Sequence, residues 1–463
     1  MLTGLALGAL LAVTAPVTPA PLTHVFSATM EHQIDDLGRH AVQSGRTPGL
    51  AIGIVEDGRI VYAHGFGESN RETHARFAPT TQTSIGAVSM QFTAAALLLL
   101  AQDGKLKLDD AVTRYVPDLR VAKGVTVREL LNQTSCLPDP SAARDIDTDR
   151  TKSIKLDQLI AAADTQAAIC APGTQFHFNP FNYMIAGRIV ERASDVPLSD
   201  YLQQHIFIPL VMNQTFLAGD NGISRRHAVG YTKNGASFAR TKPWDPAWLY
   251  GGQSVVTDVY DLAKWDIGLP LLLRVDAERD MFTASGAPGP QRYGLGWVID
   301  ERNGEPYVWA NGEVAGFHAM NALVPLQHVA VIVLANTDDA HGSTIVPESI
   351  AGEILDIVLP PARAHLDNAI VARAKDWLTR IADKNIDRTQ LTPAFSRYLT
   401  DGLVAKTNLA ALGRPLDFVP IASRATSDGG TVYEFLVRFA HEQYHYRFGI
   451  AKDGKIDEIF LVR

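Results

Sequence analysis

The stretch from Val88 to Gln102 is apolar on nearly every face of the helix it predicts, with AAALLLL at its centre. A helix without a polar face is stable only when other elements enclose it on all sides. The chain therefore has to build a core around this helix. Its 463 residues, of which 46% are hydrophobic and 20% charged, are enough for two or three domains of ordinary composition.

Strand patterns lie on both sides of a long helical and loop-rich region. Residues 50–67 predict a hairpin, and strand patterns return between residues 293 and 336. Helices are predicted between and after these strands, over residues 181–194, 258–270 and 345–360. Strands from distant segments then share one antiparallel sheet with helices around it. We predict one α+β domain over residues 25–360, with a helical subdomain.

A smaller unit is predicted after Pro360-Pro361. Residues 361–370 are expected to be a linker, because prolines interrupt both helices and sheets. Residues 371–463 predict two short helices followed by alternating strands, a small α+β C-terminal domain. By analogy, helices followed by a curved antiparallel sheet are typical of a cone-shaped, cystatin-like fold.

The first 24 residues are predicted to be a signal peptide or an N-terminal tail. Their apolar run, Leu5–Val13, has signal-peptide length and is too short to cross a bilayer. The signal-peptide interpretation predicts export to the periplasm or the cell exterior. No later segment is apolar enough for a membrane span, and a net charge of −8 without a basic run gives no reason to expect nucleic-acid binding.

Two cysteines, Cys136 and Cys170, are too few for a disulfide scaffold or a metal cluster. They either pair, which export would permit, or remain two unrelated free thiols. No set of His, Cys, Asp and Glu has the spacing of metal ligands, so neither a metal nor another cofactor is predicted.

Several segments between residues 85 and 336 form an ordered series: IGAVSMQFTAA, DGKLKLDDAVTRYVPDL, VTVRELLNQTSCLPD, APGTQFHFNPFNYMIAGRIVE, YGLGW, AGF and VIVLAN. In this order they resemble the serine β-lactamase-like and penicillin-binding-protein family, which includes class C β-lactamases, D-alanyl carboxypeptidases and esterases. The resemblance covers residues 30–360. It implies a β-lactamase/transpeptidase-like fold, an antiparallel sheet flanked by helices.

Members of that family acylate a serine, which a lysine one helical turn later and a tyrosine on a nearby loop help to deprotonate. By the resemblance, the nucleophile position is Ala87 and the lysine position is Met90. The tyrosine, asparagine and strand histidine-or-lysine positions are Phe178, Pro180 and Ala310. None of these side chains can transfer a proton. The resemblance therefore implies that no catalytic residue is intact.

The backbone part of such a site does not depend on the lost side chains. By the resemblance, the N–H groups of Ala87 and Glu313 occupy the two oxyanion-binding positions, and Gly312 is kept, so a residual oxyanion-type pocket is predicted. The Glu313 carboxylate is expected beside Met90 and Ala310, where it would disfavour a ligand carboxylate. An uncharged or more apolar small molecule, or a loop of a protein partner, is the expected ligand.

Three functions fit the sequence. The first is a non-hydrolytic binding or regulatory protein that keeps the cleft of a degenerate serine hydrolase. The second is an active hydrolase or esterase that uses a displaced nucleophile, such as Ser89 or Ser135, and it rests on fold analogy alone. The third is an exported structural protein with a vestigial cleft.

Two polar residues near the site positions are expected to have structural roles. His177 is expected to face away from the Phe178 pocket, and Gln133 is expected to cap a loop.

Overall fold

The computed structural model describes residues 26–219, 226–302, 305–338, 346–359, 366–406, 409–426, 429–439 and 443–462. The predicted signal peptide, residues 1–24, and half of the predicted linker, residues 361–365, lie outside the described residues. Within the described ranges, no helix has the length and apolar composition that a membrane span requires.

The described residues form helices and strands in mixed order. The helices are α1 (Ala28–Gln43), α2 (Met90–Gln102), α3 (Val127–Leu131), α4 (Leu156–Asp164), α5 (Pro180–Ser194), α6 (Leu198–Leu202), α7 (Pro246–Leu249), α8 (Val259–Leu272), α9 (Val275–Met281), α10 (Val346–Val358), α11 (Asn368–Ala382), α12 (Pro393–Tyr398) and α13 (Asp401–Lys406). The strands are β1 (Gly49–Glu56), β2 (Arg59–Asn70), β3 (Ala75–Arg76), β4 (Thr83–Ser84), β5 (Phe216–Leu217), β6 (Tyr231–Asn234), β7 (Ser237–Arg240), β8 (Val255–Thr257), β9 (Val298–Arg302), β10 (Glu305–Val314), β11 (Phe317–Val324), β12 (Val329–Ala335), β13 (Thr337–Asp338), β14 (Asp417–Ala425), β15 (Thr431–Arg438), β16 (Gln443–Ile450) and β17 (Ile456–Val462).

A seven-stranded sheet in the order β3-β2-β1-β12-β11-β10-β9 forms the centre of the molecule. The predicted hairpin, β1 and β2, pairs with β12 from the far side of the helical region, with Ile52 opposite Val333. The prediction of one antiparallel sheet from distant segments is thus confirmed. The strand expected to start at Tyr293 begins at Val298 instead, because Gly296 turns the chain with a φ of 85°.

Strands β1 and β12 at the centre of the sheet are buried on both faces, which explains their continuous apolar runs. On β1, Ala51 and Val55 point to the side of α2, whereas Leu50, Ile52 and Ile54 point to the side of α1 and α10. Residues of β12 alternate in the same way. The sheet therefore separates two hydrophobic cores.

Helix α2 lies in the larger of these cores, as its apolar surface predicts. Its residues from Met90 to Leu98 are all buried. The ring of Phe92 packs against Trp265 on α8, with 4.3 Å between ring centroids, and against Phe207 at 5.7 Å. Other helical segments thus cover Phe92, and α2 as a whole has the buried environment that an all-apolar helix needs.

The C-terminal residues form a four-stranded antiparallel sheet in the order β14-β15-β16-β17, with α11 packed against it. Trp377 of α11 and the aromatic residues Phe435, Tyr446 and Phe448 are fully buried between helix and sheet. The predicted order of helices before strands is confirmed. The sequence did not predict β14, because Pro420 interrupts its pattern. The structure accommodates Pro420 on an edge strand, beside a register shift.

Candidate functional site

A single 3-10 turn, Gly86–Ser89, leads into α2 and positions Ala87. Gly86 has a φ of 52°, a left-handed conformation that glycine adopts without steric penalty. Ala87 is partly exposed, whereas the three residues that follow it are buried. The methyl group of Ala87 is therefore the part of this turn that solvent reaches.

Strand β10 passes over this turn with backbone against backbone. Since β9 pairs only with residues 305–309, β10 is an edge strand at Gly312 and Glu313. A Cβ atom on Gly312 would lie 2.5 Å from the backbone N of Ala87, and a Cβ atom on Gly86 would lie 2.6 Å from the backbone N of Glu313. Only glycine at both positions permits so close a crossing. The crossing brings together Ala87, Gly312 and the backbone of Glu313, the predicted oxyanion-type set.

The side chain of Glu313 points away from this crossing, contrary to the expectation from sequence. Residues of a strand alternate between faces, so Ala310 and Gly312 share the buried α2 side, while Asn311 and Glu313 share the exposed side. The Asn311 side chain donates to Glu348 on α10 at 2.7 Å, which places that side toward α10. Only the backbone of Glu313 meets the turn at Ala87, so the expected position of its carboxylate beside Met90 and Ala310 is wrong.

Met90, at the position that the resemblance assigns to lysine, is fully buried. Its sulfur lies 3.7 Å from Nε2 of Gln133 and 3.7 Å from the hydroxyl of Tyr293. A thioether is a weak hydrogen-bond acceptor and does not take up a proton at neutral pH. Burial raises the pKa of Tyr293 above its ordinary value, so this hydroxyl keeps its proton. Neither Met90 nor its described partners Gln133 and Tyr293 can therefore act as a base at the position of Ala87.

Gln133 is the centre of the polar network beside Met90, a role that the sequence did not reveal. It is fully buried and has a φ of 61°. Its side-chain oxygen accepts from the backbone N of Asn179 at 3.0 Å and from Nδ2 of Asn182 at 2.6 Å. Its backbone oxygen accepts from the N–H of His177 at 2.8 Å. Gln133 therefore caps and positions the loop before α5, from a buried position rather than from the surface.

Phe178 and Pro180 lie where this loop enters α5. Pro180 is the first residue of the helix, where its missing N–H is not needed, and Asn179 caps the helix by accepting from the N–H of Phe181 at 3.0 Å. Phe178 is 44% exposed, and its ring meets Tyr293 edge-on with 6.4 Å between centroids. Phe178 thus adds an exposed apolar ring beside Tyr293, whose hydroxyl contacts Met90.

The disulfide between Cys136 and Cys170, with Cα atoms 5.2 Å apart, holds the same loop. Beside it, the N–H of Ile169 donates to the backbone oxygen of Cys136 at 2.9 Å. The disulfide therefore ties the segment of Gln133 to the chain that leads to Phe178.

The two serines considered as displaced nucleophiles, and His318 on the neighbouring strand β11, are held in structural contacts. Ser89 is 1% exposed, and its oxygen accepts from the N–H of Val255 at 3.0 Å. Ser135 is also 1% exposed and donates to Asn182 at 2.6 Å. His318 is buried and bonds to Glu348 at 2.7 Å, on the α10 side of the sheet.

The central antiparallel sheet lies between two helical layers, and the turn Gly86–Ser89 enters the buried helix α2 beneath the edge strand β10. This arrangement defines the class of β-lactamase/transpeptidase-like proteins. A sequence profile of the Beta-lactamase family matches residues 34–350, and the chain belongs to that family. It is 28% identical over 322 residues to Protein flp of Staphylococcus aureus strain MW2, which covers 67% of this chain. The chain spans 64% of the length of that relative.

Solved structures share the fold at low sequence identity. The octameric penicillin-binding protein homologue from Pyrococcus abyssi aligns with a TM-score of 0.63 and 21% identity, covering 94% of this chain and 99% of the homologue. The D-amino acid amidase from Ochrobactrum anthropi SV3 aligns with a TM-score of 0.65 and 21% identity, covering 72% of this chain and 98% of the amidase.

Proposed function

We propose that this chain is a degenerate serine hydrolase that binds a ligand in the family's cleft without cleaving it, as a binding or regulatory protein. The observation that carries the proposal is the pair at the start of α2. A partly exposed methyl group, Ala87, and a buried thioether, Met90, stand where the resemblance assigns serine and lysine. A methyl group forms no acyl bond, and a thioether does not deprotonate a hydroxyl.

The neighbouring polar groups do not supply the missing chemistry. Removal of one member of such a catalytic unit costs about 10⁶ in turnover in a well-studied serine protease, and further losses add little. The carboxamide of Gln133 does not titrate, and burial raises the pKa of Tyr293. Covalent turnover is therefore not expected at this cleft.

A displaced nucleophile is the alternative, and the contacts of the two candidate serines argue against it. The oxygen of Ser89 accepts a backbone N–H, and Ser135 donates to Asn182, so both hydroxyls are buried and engaged. A nucleophile must reach the substrate with a base beside it. Neither serine has a titratable group among its described hydrogen-bond partners.

The ligand that fits this cleft best is uncharged and partly apolar, with a carbonyl group. The N–H groups of Ala87 and Glu313 can donate to a carbonyl oxygen. Phe178 offers an exposed ring, and no cation stands at Met90 or Ala310 to pair with a carboxylate. Expected probes are N-acyl amino acid amides, with the matching carboxylates as controls. A ligand that binds raises the melting temperature by mass action, whereas a purely structural protein with a vestigial cleft shows no shift.

The decisive test is covalent labelling of the purified protein with a fluorophosphonate and a fluorescent penicillin, followed by intact-mass spectrometry. We expect no stoichiometric adduct. An acyl adduct mapped to one residue of this chain would overturn the proposal. Labelling that disappears after Ser89→Ala or Ser135→Ala would establish the displaced nucleophile.

A rescue series tests the account of the missing base. The single variant is Ala87→Ser, and the fourfold variant combines Ala87→Ser, Met90→Lys, Phe178→Tyr and Ala310→His. The fourfold variant is expected to cleave an activated ester slowly, because a positioned base contributes about 10²–10⁴ in rate. The matched control combines Ala87→Ser, Phe178→Tyr and Ala310→His, since it lacks only the lysine.

The proposal extends to export and to the C-terminal residues. A disulfide persists in oxidising compartments, which supports location in the periplasm or outside the cell. The C-terminal sheet would serve as a second interaction surface or as a dimerisation element. Cell fractionation with N-terminal sequencing tests export, and light scattering with and without residues 371–463 tests dimerisation.

A further inference from the structure

A cavity of about 770 Å³, separate from the Ala87 cleft, lies between residues 114–120, helix α4 and the second half of α5. Arginines from two of these three segments line it: Arg114, Arg120, Arg188 and Arg192. In the whole chain, acidic residues outnumber basic ones, with 50 Asp and Glu against 42 Lys and Arg. Four guanidinium groups around one cavity therefore belong to this place and do not follow from the composition.

Helix geometry places the charged groups on the faces that form the wall. Arg188 and Arg192 lie one turn apart on α5, so both side chains project from the same face. On α4, Asp157 and Asp164 lie two turns apart on one face, with the buried Ile160 between them. The cavity thus combines a partly apolar floor with charged groups on both helices.

Two aspartates of the wall orient two of the arginines. Nε of Arg120 donates to Asp164 at 2.7 Å, and Nη2 of Arg188 donates to Asp157 at 2.9 Å. The Asp164 side chain is 7% exposed and also accepts from the N–H of Val121 at 2.8 Å, which fixes its position. Each arginine uses one of its five N–H donors in these bonds. Both guanidinium groups are therefore held in place with further donors left for a ligand.

The other charges near the wall leave this excess of donors in place. Arg192 is exposed and forms no ion pair within the described part of the chain. Arg114 contacts Asp110 through Nη1, at 3.3 Å. Glu191 lies 3.6 Å from Nε of Arg188, beyond hydrogen-bond distance. The unfilled hydrogen-bonding capacity of the cavity is therefore mostly that of cationic donors.

We propose that this cavity binds a small hydroxylated anion, whose phosphate or carboxylate oxygens pair with Arg192 and with the remaining N–H groups of Arg120 and Arg188. A guanidinium group presents its N–H donors in a fork that matches the oxygens of both kinds of anion. The exposed Asp118 of the same wall can accept from a hydroxyl group of the ligand. Sugar phosphates and hydroxy acids have this combination of groups.

This site does not depend on the function proposed for the Ala87 cleft. Helix α5 begins at Pro180, beside Phe178, whereas Arg188 and Arg192 lie about 12 and 18 Å further along its axis at 1.5 Å per residue. The two sites also take ligands of different charge. Binding at each can therefore be measured separately.

Calorimetric titration of the full chain at low ionic strength tests the proposal with ribose 5-phosphate and citrate, and with ribose as the uncharged control. Wild-type protein is expected to bind at least one of the anions at one site, and which of them binds shows whether phosphate or carboxylate is recognised. Arg192→Gln removes a charge that has no described ion pair and should weaken the anion about tenfold. Arg59→Gln, at an exposed arginine outside this wall, is the matched control and should change the affinity less than about twofold.

A second variant, Ala161→Trp, fills the cavity from an exposed position on α4 without changing a charge, and it should also weaken the anion about tenfold or more. The proposal is wrong if neither anion binds folded wild-type protein at about 10 mM, or if ribose binds as well as ribose 5-phosphate. It is also wrong if Arg192→Gln binds like wild type or loses no more affinity than Arg59→Gln. Unchanged binding by Ala161→Trp would place the anion elsewhere. Circular dichroism melts show that each variant is folded, and either variant alone decides if the other is not.

Discussion

The crossing of β10 over the turn at Ala87 predicts that Gly312→Ala is strongly destabilising. The added Cβ atom would lie 2.0 Å from the backbone oxygen of Ile85 and 2.5 Å from the backbone N of Ala87. Both atoms belong to the main chain, so no side chain can rotate away to make room. The strand or the turn has to move by about 1 Å to restore an ordinary contact distance.

Overpacking of this kind costs about 1–3 kcal/mol, and rigid backbone neighbours place Gly312→Ala at the upper end, about 3 kcal/mol. The movement also separates the N–H groups of Ala87 and Glu313. We therefore expect loss of ligand binding in the cleft together with the loss of stability.

Gly352→Ala on α10 is the matched control in the same part of the fold. There the added Cβ atom meets only the guanidinium of Arg302, at 3.2 Å. Alanine is favoured over glycine in a helix by about 1 kcal/mol, so this variant should be as stable as wild type or slightly more. Urea denaturation followed by circular dichroism measures both. If the free energy of unfolding of Gly312→Ala lies within about 0.5 kcal/mol of the wild-type value, the close crossing of β10 over the turn is absent. The proposed oxyanion-type pocket then loses its structural basis.

Three further predictions concern chemistry, pH and the disulfide. Ala87→Ser alone should give no ester hydrolysis above background in a chromogenic ester assay, because it adds a nucleophile without a base; turnover by this single variant would contradict the account of Met90. Burial raises the pKa of Asp258 to about 6, so the folded protein holds a proton that the unfolded chain releases between pH 4 and 6, and wild-type stability falls as the pH rises through this window. Asp258 caps the N-terminus of α8, and Asp258→Asn keeps this cap without the acid. Relative to wild type, the free energy of unfolding of this variant should rise by on the order of 3 kcal/mol between pH 4 and pH 7, measured by denaturant titration. The same pH dependence in both proteins would refute the buried acid. Replacement of both cysteines by alanine should lower the free energy of unfolding by about 3–4 kcal/mol, measured in urea, with reduced wild type as the comparison.

The sequence by itself determined the features that depend on local periodicity. The all-apolar stretch before Gln102 required a buried helix, and the alternating and continuous apolar runs required one sheet covered on both faces. The spacing of Ala87 and Met90 follows from helix geometry alone, since both lie within one turn. The resemblance in ordered motifs then indicated the family, which the match over residues 34–350 supports independently.

Tertiary structure decided which groups surround these positions. The sulfur of Met90 meets Gln133 and Tyr293, which are 43 and 203 residues away in the chain, and no local pattern predicts such contacts. The face of Glu313 was misjudged because proximity in sequence to Gly312 does not give proximity in space: neighbouring strand residues point to opposite sides. The contact of Asp266 on α8 with Asn321 on β11, at 2.8 Å, likewise arises only when the helix packs on the sheet, because the two residues are 55 positions apart in the chain.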